Sequence, residues 1–145
     1  FSTLPESMND QLDAILLIRA LHNLARFSDN GPYLDKALAA SYRALKPGGI
    51  VGVVQHEARE DRSDEWANGS AGYLKKPYVI AAMEKAGFEL VADSDINTNP
   101  LDQAGEGDKV WRLPPSLRAS DENKEALRAV GESHRMTLKF CKPVE

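Results

Sequence analysis

The stretch from Tyr42 to His56, Tyr-Arg-Ala-Leu-Lys-Pro-Gly-Gly-Ile-Val-Gly-Val-Val-Gln-His, constrains the fold more than any other part of this chain. Pro47 has no backbone donor and disfavours the helical region for Lys46, while Gly48 and Gly49 tolerate the positive φ angles of a helix exit. A helix therefore ends here. The β-branched run that follows closes on polar Gln55 and His56, the pattern of a strand buried on both faces of a parallel sheet. The fold class is α/β.

The flanking segments extend this pattern. Asp13 to Arg19 reads as a strand whose uninterrupted apolar middle also predicts burial on both faces. Ala20 to Leu24 then turns into a short helical piece at the carboxyl edge of the sheet, where open α/β sheets bind ligands. After the Asn30-Gly31-Pro32 turn, Leu34, Ala37, Leu38, Ser41, Tyr42 and Leu45 recur at helical spacing, which predicts an amphipathic helix of about 13 residues. Strand, helix and strand at these separations form a right-handed βαβ crossover.

Glu57 to Gly72 is charged and rich in small residues, and reads as a surface loop able to act as a lid. Pro77 opens a second helix with Val79, Ile80, Met83 and Ala86 as its apolar stripe and Gly87 just past its end. Phe88 to Ile96 reads as a strand broken by Asn97-Thr98-Asn99-Pro100. A Gly- and Asp-rich excursion, Leu101 to Asp108, leads to Val110-Trp111-Arg112-Leu113-Pro114-Pro115. A short helix capped by Ser120 or Asp121 and stopped by Gly131 carries Leu127 and Val130 inward, and Arg135 to Lys142 alternates as a final strand.

Composition narrows the functions. The chain has 145 residues, enough for one domain with a real core, and no internal repeat divides it. Its 18 Lys and Arg against 22 Asp and Glu give a formal charge of -4 with no basic block, which argues against nucleic acid as a partner. No apolar run approaches the roughly 20 residues that span a bilayer. The single cysteine, Cys141, excludes an intramolecular disulfide framework and reads as a packed thiol in a strand. The chain opens on Phe1 without an initiator Met and runs into a loop-like Ser-Thr-Leu-Pro. The expectation is that an N-terminal portion precedes it, that any localisation signal went with that portion, and that the protein is cytoplasmic.

The order of elements, the Leu45-Lys46-Pro47-Gly48-Gly49 helix exit and the Ala86-Gly87-Phe88 turn resemble the carboxyl half of a class I S-adenosylmethionine-dependent methyltransferase. More narrowly, Arg19 with His22-Asn23, Ile96 to Pro100, Val110 to Pro115 and Gly131 to Phe140 are similar to a bacterial group described only as predicted methyltransferases. The resemblance covers nearly the whole chain. It implies a Rossmann-like sheet supplying strands four to seven of that fold with flanking helices, the last two strands pairing as an antiparallel hairpin. Residues 1–145 would then be a single incomplete methyltransferase-like domain. The Gly-rich loop and the acidic residue that hold the cofactor in such folds have no counterpart here, because Gly48-Gly49 precedes a strand instead of linking a strand to a helix.

The function that the resemblance implies is methyl transfer from S-adenosylmethionine to an unidentified small-molecule acceptor, with an N-terminal half completing the cofactor site and this chain alone inactive. The alternative is a non-catalytic module that pairs with itself or with a complementary half. Arg19, His22, Asn23 and His56 are the expected catalytic residues, since histidine titrates near neutrality and all four lie at the carboxyl edge. Arg19, Ala20 and Leu21 would face the cofactor. Trp66, Asn97, Asn99 and Trp111 are expected acceptor contacts, Trp66 as the lid residue. A metal site built on His22 and His56 is the weakest reading, because no short ligand spacing supports it, and none is assigned.

Overall fold

The computed structural model describes residues 4–144, so the loop-like reading of residues 1–3 lies outside the described residues. Leu12–Ile18 forms β1, Leu21–Ala25 the short helix α1, Tyr33–Ala44 α2 and Leu45–Ala58 β2. A two-residue strand β3, Leu74–Lys75, leads into α3, Lys76–Lys85, and then β4, Glu89–Ser94. Helix α4, Asp121–Val130, and strand β5, Arg135–Cys141, complete the order. The sheet runs β1-β2-β5-β4, with β3 on the end of β2. Strands β1 and β2 are parallel, as the crossover through α2 requires, whereas β5 is antiparallel to both β2 and β4.

The helices form where the apolar spacing predicts them. Helix α2 buries Leu34, Ala37, Leu38, Ala40, Ser41 and Ala44, and Ser41 Oγ donates to Ala37 O, which lets a hydroxyl sit in the core. Helix α3 has Pro77 in its first turn and Gly87 beyond its end at φ 102°, a conformation only glycine adopts at low cost. Both helices pack on one face of the sheet against Leu17, Val51, Val53, Met136, Leu138 and Phe140. In β5 the even-numbered residues point into that core, as the alternation predicts.

Three expectations are corrected. The Lys46-Pro47-Gly48-Gly49 segment is not a glycine-terminated helix exit, because α2 ends at Ala44 and Leu45 is already extended. The segment is an irregularity within β2: the pairing advances from Leu12 to Ala14 on β1 while it advances from Leu45 to Ile50 on β2. Gly48 takes φ 78°, and at Gly49 a Cβ would lie 2.9 Å from Lys46 O and 3.2 Å from Asp13 O. Glycine is required there because the irregular segment brings its own Leu45 side chain and Lys46 carbonyl onto that position, with β1 only slightly farther away.

Second, β1 is buried on one face only: Leu17 is 4% exposed, but Leu16 is 69% and Ile18 49% exposed on the other side. A continuous apolar run therefore reports burial on one face plus an open face that nothing among the described residues covers. Third, α4 buries no residue, and Leu127 and Val130 are only half-buried. Among the described residues no helix is long and apolar enough to cross a membrane.

Candidate functional site

Because β1 and β2 are parallel, their carboxyl ends meet at one edge, and the antiparallel β5 begins there, pairing His56 with Arg135. Arg19 follows β1 directly. Its N–H donates to Val54 O at 2.6 Å, continuing the ladder, while its φ of 52° lies in the left-handed region. A non-glycine residue there costs on the order of 1 kcal/mol or more, a conformation typical of functional turns. The turn lets α1 start at Leu21, which lays His22 against Gln55 of β2.

An open cavity of about 320 Å³ occupies this edge. Arg19, His22, Asn23 and His56 all line it, which brings the four expected catalytic residues together. Trp111, Leu113, Pro114 and Pro115 form its apolar wall, and Glu132, Ser133 and Arg135 its far side. The His22 and His56 ring centroids lie 5.5 Å apart, and those of His22 and Trp111 lie 6.0 Å apart with the rings inclined at 67°.

Both imidazoles are buried and are held neutral. Burial pushes His22 below its usual 6.5, with nearby Arg26 and Arg19 adding to the shift and the Gln55 hydrogen bond opposing it. His56 is lowered to about 3, chiefly by burial and then by His22, Arg135 and Arg19, with Asp102 opposing. His56 Nδ1 and Ser133 Oγ share a hydrogen bond of 2.6 Å. Arg135 pairs with Glu132, whereas Arg19 makes no ion pair among the described residues.

The wall carrying Trp111 is fixed by a buried polar network. Asp102, with its side chain 1% exposed, accepts from Arg112 Nη2 at 2.8 Å, from Tyr73 OH at 2.8 Å and from His134 N at 3.0 Å. Arg112 Nη1 also donates to Tyr73 OH. One carboxylate thereby joins the 98–118 excursion to β5 and to Tyr73, satisfying its own lone pairs.

The remaining expected site residues lie elsewhere. Trp66 stacks on Tyr73 at 5.1 Å, and its Nε1–H donates to Asp108 O, so it belongs to a small cluster with Ala58, Ala67, Ala71, Ala104 and Val110. The 57–72 segment is thus fastened to the excursion. Asn97 Nδ2 donates to Thr137 Oγ1, and Asn99 Nδ2 donates to Val130 O and Glu132 O, holding the end of α4. Leu21 is 2% exposed and part of the main core, and Ala20 is half-buried. Sequence reasoning missed Ser133, Arg135 and Gln55. Gln55 ends an apolar run, which was a visible signal; Arg135 meets His56 only through strand pairing, which no local pattern encodes.

Among the described residues no group of three His, Cys, Asp or Glu could hold a metal ion. Glu57 is the unexplained carboxylate: burial raises its pKa, Lys76 and His134 oppose, and its Oε2 is buried without a hydrogen bond although His134 Nε2 lies at 3.5 Å.

No protein-family model matches the chain, and no curated protein sequence does. Solved structures do. The [4+2]-cyclase SpnF superposes with a TM-score of 0.61 at 21% identity, over 99% of this chain and 54% of that one. An S-adenosylmethionine-dependent methyltransferase from Methanosarcina mazei gives 0.57 at 10% identity, over 94% of this chain and 62% of that one. The Burkholderia thailandensis 1,6-didemethyltoxoflavin-N1-methyltransferase, solved with S-adenosylhomocysteine, gives 0.56 at 16%, over 99% and 48%. The chain therefore spans about half to two-thirds of the length of these proteins, and its fold is that of the class I S-adenosylmethionine-dependent methyltransferases.

Proposed function

We propose that this chain forms the acceptor-facing half of an S-adenosylmethionine-dependent methyltransferase acting on a small molecule. The observation that supports the reading is the convergence of Arg19, His22, Asn23 and His56 on one cavity at the carboxyl edge of a methyltransferase-fold sheet. The fold alone does not name the chemistry, so the reading rests on the site.

The residues present do not fit the whole cofactor. No glycine lines the cavity, and its one carboxylate, Glu132, is engaged with Arg135, which leaves no free carboxylate there to take ribose hydroxyls. Leu21 is sealed in the core, which leaves the Arg19 side chain and the backbone of this segment as its possible cofactor contacts. The cofactor is held mainly by a half outside this sequence. The open face of β1, with Leu16 and Ile18 exposed, supports a covering partner of that kind. What the chain itself supplies is acceptor binding, exclusion of water by the Trp111 wall, and alignment, which carries much of the rate in a displacement reaction.

Calorimetry with S-adenosylhomocysteine tests the division of labour: the isolated chain should give no measurable heat, and micromolar binding would refute it. In the whole gene product, His56→Gln should depress methyl transfer while S-adenosylhomocysteine still binds. Transfer that survives the substitution unchanged removes His56 from the reading. The alternative, an interaction module without catalysis, draws on the same open face and predicts a stable dimer by light scattering; a monomer at all concentrations counts against it.

A further inference from the structure

Gln55 does not line the cavity but lies behind His22, which does, and is 0% exposed. Its Nε2 donates to Gly72 O at 2.9 Å and to His56 O at 3.2 Å, and its Oε1 accepts from the His22 backbone N–H at 3.2 Å. A flipped amide would set oxygen against two carbonyls and NH2 against an N–H, so the orientation is unambiguous. The same Oε1 lies 3.2 Å from His22 Nδ1. An amide oxygen only accepts, so the hydrogen of the neutral imidazole is on Nδ1 and the lone pair is on Nε2.

His22 Nε2 has no hydrogen-bond partner among the described residues, yet it is not among the side-chain atoms sealed from solvent. It is therefore a bare acceptor in a cavity that is also lined by Arg19, which makes no ion pair among the described residues. His56 is not equivalent, because its Nδ1 partner, Ser133 Oγ, can donate or accept and so does not fix which ring nitrogen carries the hydrogen.

We propose that Gln55 positions His22 as the proton acceptor of this cavity, and that the molecule it serves carries an acidic O–H or N–H together with an anionic group that Arg19 holds. The inference rests on the cavity being the acceptor site. In the step, the X–H bond breaks, its electron pair stays on X as the nucleophile, and the proton forms a new N–H bond at His22 Nε2. Trp111, Leu113, Pro114 and Pro115 make the opposite wall apolar, which suits a flat ring between the charged group and the acidic hydrogen.

Nitrogen NMR of the histidine-labelled chain at neutral pH tests the positioning without any cofactor. His22, assigned by its loss in His22→Gln, should show a pyrrole-type Nδ1 and a pyridine-type Nε2; the reverse pattern overturns the proposal. Gln55→Leu should let both tautomers populate. Should that variant not fold, Gln55→Asn keeps the amide chemistry while drawing it back from His22 and should also let both tautomers populate; a His22 still protonated on Nδ1 alone in either variant overturns the positioning role. The substrate class is read with 4-hydroxybenzoate, 4-methoxybenzoate and phenol as probes. Only 4-hydroxybenzoate should shift the His22 Nε2 signal, and Arg19→Gln should weaken it about tenfold, the worth of one charge-assisted contact. A His22 signal unmoved by all three, or moved equally by phenol, overturns the class. Failure of S-adenosylhomocysteine to bind the whole gene product while these signals hold would sink the methyltransferase reading alone.

Discussion

The face of the sheet under α2 and α3 and the polar plug, which is built from the segments flanking β3 and β5, are held together by opposite means. Along β2, Val51 and Val53 join Phe140 and Leu138 in an apolar core, and two residues later Gln55 faces His22 and Gly72. The core is held by area removed from water and is indifferent to direction. The plug around Asp102, Tyr73, Arg112 and His134 N is held by directed bonds, each of which strands a partner when removed. Cores of the first kind lose stability in proportion to what is deleted; networks of the second kind fail as a unit. The protein places its cavity wall on the second.

Both tryptophans, Trp66 and Trp111, lie beside the plug and neither is in the main core, so their fluorescence reports the plug while far-ultraviolet dichroism reports the sheet and helices. The largest effect is expected for Phe140→Ala, which leaves a cavity beneath α3 and costs about 4 kcal/mol. Urea unfolding should show both signals shifted together, since the core supports everything above it. Fluorescence that stays at the wild-type midpoint would mean the plug folds independently, and the comparison would fail.

Next in size is Asp102→Ala, which leaves the largely buried Arg112 with the more distant Asp108 as its one carboxylate partner among the described residues and should cost about 3 kcal/mol. Here the signals should separate, with fluorescence lost at lower urea than dichroism. Coincident transitions would show that the plug is simply more core.

How far the sequence revealed these two regions follows from the range of the interactions. Helices α2 and α3 were legible because Leu34, Leu38, Val79 and Met83 repeat within one element, and β5 because Met136, Leu138 and Phe140 alternate. The convergence of Arg19, His22 and His56 at one edge followed from reading β1 and β2 as parallel neighbours. The open side of β1 was not legible, since an apolar run looks the same whether or not something covers Leu16. Nor was the plug: Asp102 meets Tyr73 and His134 across long separations, and an Asp in a Pro-broken loop carries no mark of burial. Trp66 looked isolated for the same reason, its partner Tyr73 being supplied by the fold.

Acid should act on the plug side third in order. His56 has a pKa of about 3 in the fold against 6.5 unfolded, so between those values the unfolded chain binds more protons and stability falls as pH falls. The groups facing it are His22, Arg135, Arg19, Asp102, Ser133 and the Tyr73 ring. The lowered His22 acts in the same direction, whereas Glu57, raised by burial, acts in the other. By about pH 4.5 the His56 contribution alone amounts to roughly 2–3 kcal/mol. The measured slope of stability against pH should flatten in His56→Gln. An unchanged slope would assign acid sensitivity to other groups.

The smallest effect expected is that of Tyr73→Phe, and it tests most directly whether the plug is a unit. The hydroxyl donates to Asp102 and accepts from Arg112, and burial, reinforced by Asp102, raises its pKa and keeps it protonated as the donor. Removing it leaves the ring stacked on Trp66 and leaves Asp102 its bonds to Arg112 and His134, so the cost should be about 1 kcal/mol. The double variant Tyr73→Phe, Asp102→Ala should then cost no more than Asp102→Ala alone, because the hydroxyl's value depends on the carboxylate it serves. Strict additivity of the two costs would mean that the hydroxyl acts independently of Asp102, through its bond from Arg112, and that the plug is not a unit.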